Sequence, residues 1–359
     1  MTMNLEERFQ LVSEVGEEII EPNELRALLE EKKHPVAYDG FEPSGRIHIA
    51  QGLLRSINVN KLTKAGIKFK FWVADWFALM NNKLDGDLDK IHTTGEYFVE
   101  TWKAAGMDLK NVEFLWASEN MGQEYWLRTI RIARLNTVAR VTRCAQIMGR
   151  SEKDVLSAAQ IFYPCMQASD IFQLGVDIAQ LGMDQRKVNV LAREVAPKLG
   201  YKKPIAVHHH MLAGLAHPKD ADAGGIERSI QFKMSKSDPD SAIFMTDSEE
   251  EVERKLGKAY CPEGVAENNP VLEYAKYVVF EKFESPLKIE RPAKFGGDLE
   301  FKSYGALEKA FLSKELHPAD LKKGVAAGVN ELIEPVRKHF EKGRARGLLE
   351  EIESFKVTK

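Results

Sequence analysis

The stretch Tyr38–Gly52, YDGFEPSGRIHIAQG, decides how the chain is read. A short β-like run, Pro35–Val36–Ala37, precedes it, and an apolar-periodic helix predicted from Ile47 to Thr63 follows. A strand, a glycine-rich turn and a helix N-terminus in that order form an anion site, because unpaired backbone N–H groups and the positive end of the helix dipole face the same point. Gly40 and Gly45 carry no Cβ, so the backbone can come close to a ligand there. Ser44 can cap or donate, and His48 falls in the predicted first turn, where an imidazole can hydrogen-bond an oxyanion. The stretch matches neither the GxGxxG of dinucleotide folds nor the GxxxxGK[ST] of P-loop enzymes. By itself it reads as a nucleotide or phosphate site.

Outward from this stretch, strands and helices alternate. Leu5 to Lys33 reads as two amphipathic helices broken at Pro22, with Asn23 as N-cap of the second. Downstream come a β run over Phe69–Ala74 ending at Asp75, a helix from about Leu88 to Ala105 and a strand near Val112–Trp116. An arginine-bearing helical stretch follows. A capping-box-like Ser151–Glu152–Lys153–Asp154 then opens a helix to about Leu174. A strand over Val176–Ala179, a turn at Leu181–Asp184, a helix from Gln185 to Leu199 and a β run over Pro204–Val207 complete the pattern. This alternation predicts an α/β fold with a Rossmann-like, doubly wound parallel sheet. Ligands in such sheets bind beyond the carboxyl ends of the strands, which puts Tyr38–Gly45, Asp75 and Gly182–Gln185 around one crevice. The lysine-bearing stretch Lys233–Met234–Ser235–Lys236–Ser237 has loop composition. Beyond Asp247 the pattern turns mostly helical, with one Pro/Gly-bearing break at Arg291–Gly297. Three parts are expected: a helical extension over 1–34, the α/β domain over 35–247 and a helical domain over 248–359.

The 359 residues are 44% hydrophobic and 29% charged, an ordinary globular balance. No apolar run reaches the roughly 20 residues that cross a bilayer, and the acidic, amphipathic start MTMNLEERFQ does not look like a secretory or transit segment. Cys144, Cys165 and Cys261 lie far apart and form no CxxC pair, so they read as buried thiols. Consecutive histidines do not share a face of a strand, so His208–His209–His210 is not read as a metal site. The net charge of −3 does not advertise nucleic acid, but Tyr125 to Ser151 holds six arginines and no acid. A solvated basic face and phosphate contact both account for that run.

Two motifs narrow the reading. His48–Ile49–Ala50–Gln51 looks like a degenerate HIGH signature, departing at Ala50 and Gln51, and Lys233–Ser237 is a full KMSKS. In this order, with an α/β domain between and helices after, they resemble class I aminoacyl-tRNA synthetases. The closer resemblance is to tyrosyl-tRNA synthetases of the archaeal and eukaryotic type. It is carried by YDGFEPSGRIHIA, by IFYPCMQASDIFQLGVDIAQLGMDQRKVNVLARE, and by the late KFGGDL and ELHPADLK, over about residues 35–340.

The resemblance implies a tyrosine pocket of Tyr38, Tyr163, Gln167, Asp170 and Gln185. It implies ATP over Gly40, Phe41, Glu42, Ser44 and Gly45, with His48, Gln51, Gly182, Asp184, Lys233, Met234 and Ser235 also contributing. His48, Lys233 and Lys236 are the implied catalytic charges, with Mg²⁺ on the pyrophosphate and no protein metal site. For tRNA(Tyr) it implies Arg186, with Arg143, at the acceptor stem, and Phe295 with Asp320 at the anticodon. A connective insertion over about 117–150, a KMSKS loop over 224–245 and a helical anticodon-binding domain over 248–359 complete the expectation. So do a homodimer and a cytoplasmic minimal synthetase without membrane association.

Plainer roles stand beside these. Tyr163 reads equally as a core aromatic, Asp170 as a solvated helix position, Asp184 as an N-cap, Phe295 as a hydrophobic plug and Asp320 as a first-turn acid. The competing functions are tryptophanyl-tRNA synthetase, a small-molecule nucleotidyltransferase and a synthetase-like RNA-binding protein. Asp170 and Tyr38 favour a phenol over an indole, whose nitrogen only donates.

Overall fold

A six-stranded sheet organises the computed structural model, which describes residues 3–148, 155–216, 239–282 and 286–355. The strands are β1 (Glu18–Ile20), β2 (Val36–Phe41), β3 (Lys68–Val73), β4 (Val112–Trp116), β5 (Ile178–Gly182) and β6 (Ile205–His209). They lie in the order β1-β6-β5-β2-β3-β4. All pairings are parallel except that of β1, which runs antiparallel on β6. The chain winds from β2 through β3 to β4 on one side and returns through β5 to β6 on the other. The strand order therefore reverses between β2 and β5, and that reversal opens the crevice. The doubly wound α/β fold read from the alternation is the one found.

Both faces of the sheet are covered, which is why its strands read as near-continuous apolar runs. Helices α1 (Leu5–Val15), α2 (Pro22–Glu31), α3 (Arg55–Lys64) and, after the short α4 (Asp75–Met80), α5 (Leu88–Ala104) come before β4. The short α6 (Ala117–Asn120), then α7 (Gln123–Arg134), α8 (Val138–Thr142), α9 (Ala158–Gln173) and α10 (Arg186–Val195) follow it. One core gathers Ile57, Phe69, Phe71 and Trp102; the other gathers Tyr38, Trp72, Met166 and Leu191. Alternation along β3 sends Phe69 and Phe71 to the first and Trp72 to the second. The first core continues past Asp247 into Val271, Leu307, Leu321 and Val329 of the C-terminal helices. The last helix, Gly343–Ser354, packs back on α5, where Arg344 meets Glu96 at 2.6 Å. No helix among the described residues is long and apolar enough to cross a membrane.

Several expected boundaries move. The first segment holds a strand between its two helices, because Glu18–Ile20 pairs with β6; three residues are too few to display a period of two. Helix α2 starts on Pro22, whose missing N–H costs nothing at that position, so Asn23 lies inside it rather than capping it. Residues 151–154 lie outside the described residues. The capping box of α9 is formed by Ser157 and Gln160 instead, with reciprocal bonds of 3.3 and 3.0 Å. Strand β5 runs about two residues later than expected, since pairing of Ala179 with both Tyr38 and Ala206 sets its register. The break at 291–297 is the turn of a hairpin between β7 (Leu287–Ile289) and β8 (Leu299–Phe301), which the sequence did not signal.

The three histidines at the end of β6 engage three different elements. His208 bonds Glu18 of β1, and His209 bonds Arg55 of α3. His210 stands between Glu17 and Glu273, at 3.1 and 3.0 Å, and stacks on Tyr277 with ring centroids 4.3 Å apart. It thereby clamps the N-terminal segment to the C-terminal helices. Burial alone would lower the His210 pKa, but the two carboxylates outweigh it and push it up to about 9. A pKa raised by folding adds stability that is full below the ordinary value of 6.5 and is gone once pH passes about 9. The difference in melting temperature between wild type and His210→Ala is therefore expected to be largest at pH 6 and to shrink toward pH 10. Calorimetry across that range reads it; a pH-independent difference would remove the ionic part of the clamp.

Candidate active site

The loop after β2 begins the site. Gly45 has a φ of 114°, which a side chain would oppose. The helix then starts later than its apolar period suggested, at a π turn over Ala50–Leu54. Residues 47–49 are taken up in an antiparallel bridge. The Ile49 N–H donates to Ile243 O at 2.9 Å, the Met245 N–H donates to Ile47 O at 3.0 Å, and His48 lies opposite Phe244. His48 is 5% exposed and precedes the helix; its carbonyl accepts from the Gln51 and Gly52 N–H groups, each at 2.9 Å. Residues 243–245 follow shortly in sequence after Lys233, Met234, Ser235 and Lys236, which lie outside the described residues.

The bridge is anchored by charge. Asp247 accepts from Arg46 at 2.9 Å, from the buried Lys255 at 2.6 Å and from the Phe244 N–H at 2.9 Å. Both cations lie over the Phe244 ring, 4.7 and 4.8 Å from its centroid.

The pocket lies between β2 and α9. Tyr163, Gln167 and Asp170 share the inward face of α9, as their i, i+4, i+7 spacing implies, and all three are buried. Asp170 is therefore not a solvated helix position. Tyr38, on β2, is buried close to Gln167 and Asp170. Gln167 Nε2 donates to Gln185 Oε1 at 2.9 Å, and Gln185 Nε2 to Ile147 O at 3.2 Å. Burial, together with nearby carboxylates, pushes the Tyr38 and Tyr163 phenols well above their usual range, so both stay protonated donors. Burial also raises Asp170, against a hydrogen bond from Tyr125 and the charge of Arg128.

Sequence reading missed Tyr125 altogether and the partners of Glu42. Tyr125 of α7 points its hydroxyl at Asp170 Oδ1, 2.7 Å away, and at Met166 O, 2.9 Å away. Glu42 accepts from Tyr163 at 2.5 Å and from Asn81 at 3.2 Å, and Asn81 in turn accepts from Gln160 at 3.2 Å. Glu42 thus belongs with the α9 residues. Contacts from helices far along the chain leave no local pattern by which to find them.

The remaining crevice residues divide. Gly40 and Ser44 line the end of β2 and its loop, while the Phe41 ring turns into the core beside Phe71 and Trp102, 6.0 and 5.3 Å away. Gly182 ends β5 in a place where a Cβ would meet Met211 Sδ at 2.5 Å. Asp184 is buried in the turn before α10, and α10 has no side-chain cap, so Asp184 is not one. The buried Gln51 Oε1 has no hydrogen-bond partner among the described residues. Asp39 is ion-paired with the buried Arg55 at 3.3 Å. Asp75 is taken up elsewhere, accepting from the Trp76 and Ser118 N–H groups at 2.9 and 3.0 Å.

Away from the pocket, Arg186 opens α10 at the rim, and Arg143 is exposed at the end of α8. Arg128 bonds Gln173 and Tyr201, and Arg140 bonds Glu194, so part of the arginine run serves packing. Phe295 is 59% exposed in the β7–β8 turn, not a plug. Arg291 bonds Gly297 O and Glu315 O, tying that turn to the approach of the helix Pro318–Phe340, whose first turn holds Asp320.

Comparison with known proteins identifies the family and the fold. The family model for class I tRNA synthetases of the tryptophan and tyrosine type matches residues 30–334, and the chain belongs to that family. The chain is 52% identical to Arabidopsis thaliana tyrosine–tRNA ligase 1, cytoplasmic, over all of this chain and 91% of that protein. It superposes on the Leishmania major tyrosyl-tRNA synthetase bound to tyrosinol with a TM-score of 0.91 and 47% identity, covering all of this chain and 62% of that one. The Pyrococcus horikoshii tyrosyl-tRNA synthetase with L-tyrosine gives 0.90 and 40%, over 98% and 100% of the two chains. Within the family, the chain is a tyrosine–tRNA ligase of the eukaryotic and archaeal type. A Plasmodium falciparum tryptophanyl-tRNA synthetase, at 16% identity and a TM-score of 0.68, shares the fold alone.

The bridge under His48 leaves no room at Gly52, where a Cβ would lie 2.5 Å from Met245 Cγ. Gly52→Ala is expected to destabilise the protein by about 1–3 kcal/mol through overpacking. Urea unfolding measures it, and an unchanged midpoint would mean that the bridge yields.

Proposed function

We propose that this chain activates L-tyrosine with ATP, forming tyrosyl-adenylate and pyrophosphate, and then transfers tyrosine to the terminal adenosine of tRNA(Tyr). One observation carries the reading. A Tyr38 hydroxyl on β2 and an Asp170 carboxyl on α9, the latter bonded by Tyr125, are buried close enough to influence each other. A phenol needs both a donor and an acceptor, and these two groups supply them. Tyrosyl-tRNA synthetases are themselves the reference case for such discrimination, in which an analogue lacking the hydroxyl is rejected by about 10⁴–10⁵-fold. An indole offers no acceptor for Tyr38, which argues against tryptophan.

At the other end of the pocket, Gln167, Gln185, Tyr163 and Glu42 would hold the substrate ammonium, Glu42 supplying the negative charge. The substrate carboxylate is already ionised at neutral pH, so its attack on the α-phosphorus needs no protein nucleophile. Catalysis in this reading is positioning plus stabilisation of charge on the phosphates. ATP would lie over Gly40, Ser44, Gly45 and Gly182, with Asp184 accepting from the ribose hydroxyls and Gln51 offering an amide. His48, Lys233 and Lys236 would meet the phosphates. The His48 bridge supports this by pairing the first motif with Phe244, seven residues after the second.

Among the described residues no three His, Cys, Asp or Glu side chains converge on a metal position. Mg²⁺ would be carried on the nucleotide's own phosphates, where it would spread the charge of the departing pyrophosphate.

For tRNA, Arg186 and Arg143 would meet the acceptor stem. Phe295 would stack on an unstacked anticodon base and Asp320 would accept from a guanine edge. The exposed apolar side chains Leu127, Ile130, Val138 and Phe162 on α7, α8 and α9 support a homodimer. Likeness to the Arabidopsis cytoplasmic ligase supports a cytoplasmic location.

Pyrophosphate exchange is expected with tyrosine and not with tryptophan or phenylalanine; silence with all three would overturn the proposal. In single turnover, Lys233→Ala and Lys236→Ala are expected to slow adenylate formation far more than they weaken tyrosine binding. Equal losses in both would remove the transition-state role.

A further inference from the structure

The N-terminal strand reaches the rim of the site through a chain of hydrogen bonds that the reaction as described does not use. Glu18 of β1 stands directly opposite His208 of β6. Its Oε2 lies 2.8 Å from His208 Nδ1. A carboxylate accepts, so Nδ1 carries the hydrogen. The ring is fully buried, and burial holds its pKa below the ordinary value, so it is neutral. Nε2 is then an acceptor, matching Asn189 Nδ2 at 2.9 Å. The order Asn189→His208→Glu18 follows, each member donating to the next.

Glu18 also accepts from Arg186, with Nε 2.9 Å from each carboxylate oxygen. The carboxylate takes the Nε side of the planar guanidinium, which turns the edge formed by the two terminal nitrogens away from Glu18. Arg186 directly follows Gln185, a pocket residue, and its side chain is 39% exposed at the rim. An ion pair this open adds little to stability. What it does is hold a long, flexible side chain in one orientation, from a carboxylate that a buried imidazole itself holds.

We propose that Glu18 is a positioning residue for tRNA charging: fixed by His208 and Asn189, it sets the Arg186 guanidinium to meet the acceptor end of tRNA. The N-terminal segment then takes part in the transfer half of the reaction and not in tyrosine activation. This rests on the reading of Arg186 as an acceptor-stem contact.

The test uses the full chain, with pyrophosphate exchange and charging of a tRNA(Tyr) transcript measured side by side. Glu18→Gln keeps size and an acceptor for His208 but loses the charge that grips Arg186. It is expected to lower kcat/KM for charging about tenfold, the order that losing a hydrogen bond between charged groups costs. Exchange should stay within about twofold of wild type, and Glu18→Gln/Arg186→Ala should charge no worse than Arg186→Ala alone. If Arg186→Ala is impaired while Glu18→Gln charges normally, the proposal is overturned and the reading of Arg186 stands. If Arg186→Ala charges normally, that reading is lost and the proposal with it. A gain in charging by Glu18→Gln would mean that Glu18 merely repels tRNA phosphate, and equal losses in exchange and charging would mean a packing role; either overturns it. Should Glu18→Gln fail to fold, Arg186→Lys decides, since it keeps the charge without the planar fork: charging as poor as Arg186→Ala supports positioning, and wild-type charging refutes it.

Discussion

Strand β2 is hydrogen-bonded on both sides, by β3 along its whole length and by β5 at Ala37 and Tyr38. The direction of winding reverses at that second seam. A parallel sheet cannot cover its own reversal with a crossover helix, so a crevice opens at the carboxyl ends of β2 and β5. Everything assigned to the site hangs from those ends: Tyr38 and the Gly45 loop from one, Gly182–Gln185 from the other. Helix α9 closes one wall because it enters β5 from that side, bringing Tyr163, Gln167 and Asp170 with it.

Burial then dictates the chemistry of the pocket. Polar groups in such a place are costly unless bonded, and their bonds run between distant segments. Tyr125 aligns Asp170, Asn81 and Tyr163 hold Glu42, and Arg55 neutralises Asp39. Each pair fixes one side chain by another that the chain delivers from elsewhere, so rotamers are set before any substrate enters. The same logic joins the parts of the molecule. His210 links the first segment to the C-terminal helices, and Asp247 gathers Arg46 and Lys255 beneath the His48 bridge. One apolar core runs through the joint, so the helices beyond Asp247 are packed against the α/β part, on α5 and the turn at 50–54, rather than tethered to it.

Much of this could be read beforehand where the signal was local. Glycine at 45 answers a backbone need, and the spacing of Tyr163, Gln167 and Asp170 names one helix face. The errors also have physical causes. The helix expected from Ile47 gives up its first residues to Ile243 and Met245, a pairing partner nearly two hundred positions away. The Phe41 ring, though its residue borders the ligand loop, stacks with Phe71 and Trp102 in the core. The arginines of α7 and α8 looked alike, yet two of them are held by Gln173, Tyr201 and Glu194.

From its order of residues alone, the chain determined what repeats locally or is written in short motifs. The alternation of strand and helix, the class of the site and the residue types able to read a phenol belong there, since backbone geometry and side-chain chemistry are properties of each residue and its near neighbours. Only the tertiary structure decided which of those residues share a pocket and what holds each one still. It alone brought Glu18 opposite His208 and beneath Arg186, and Tyr125 onto Asp170. The reason is that a hydrogen bond across the fold depends on strand register and helix packing, which the whole chain sets together.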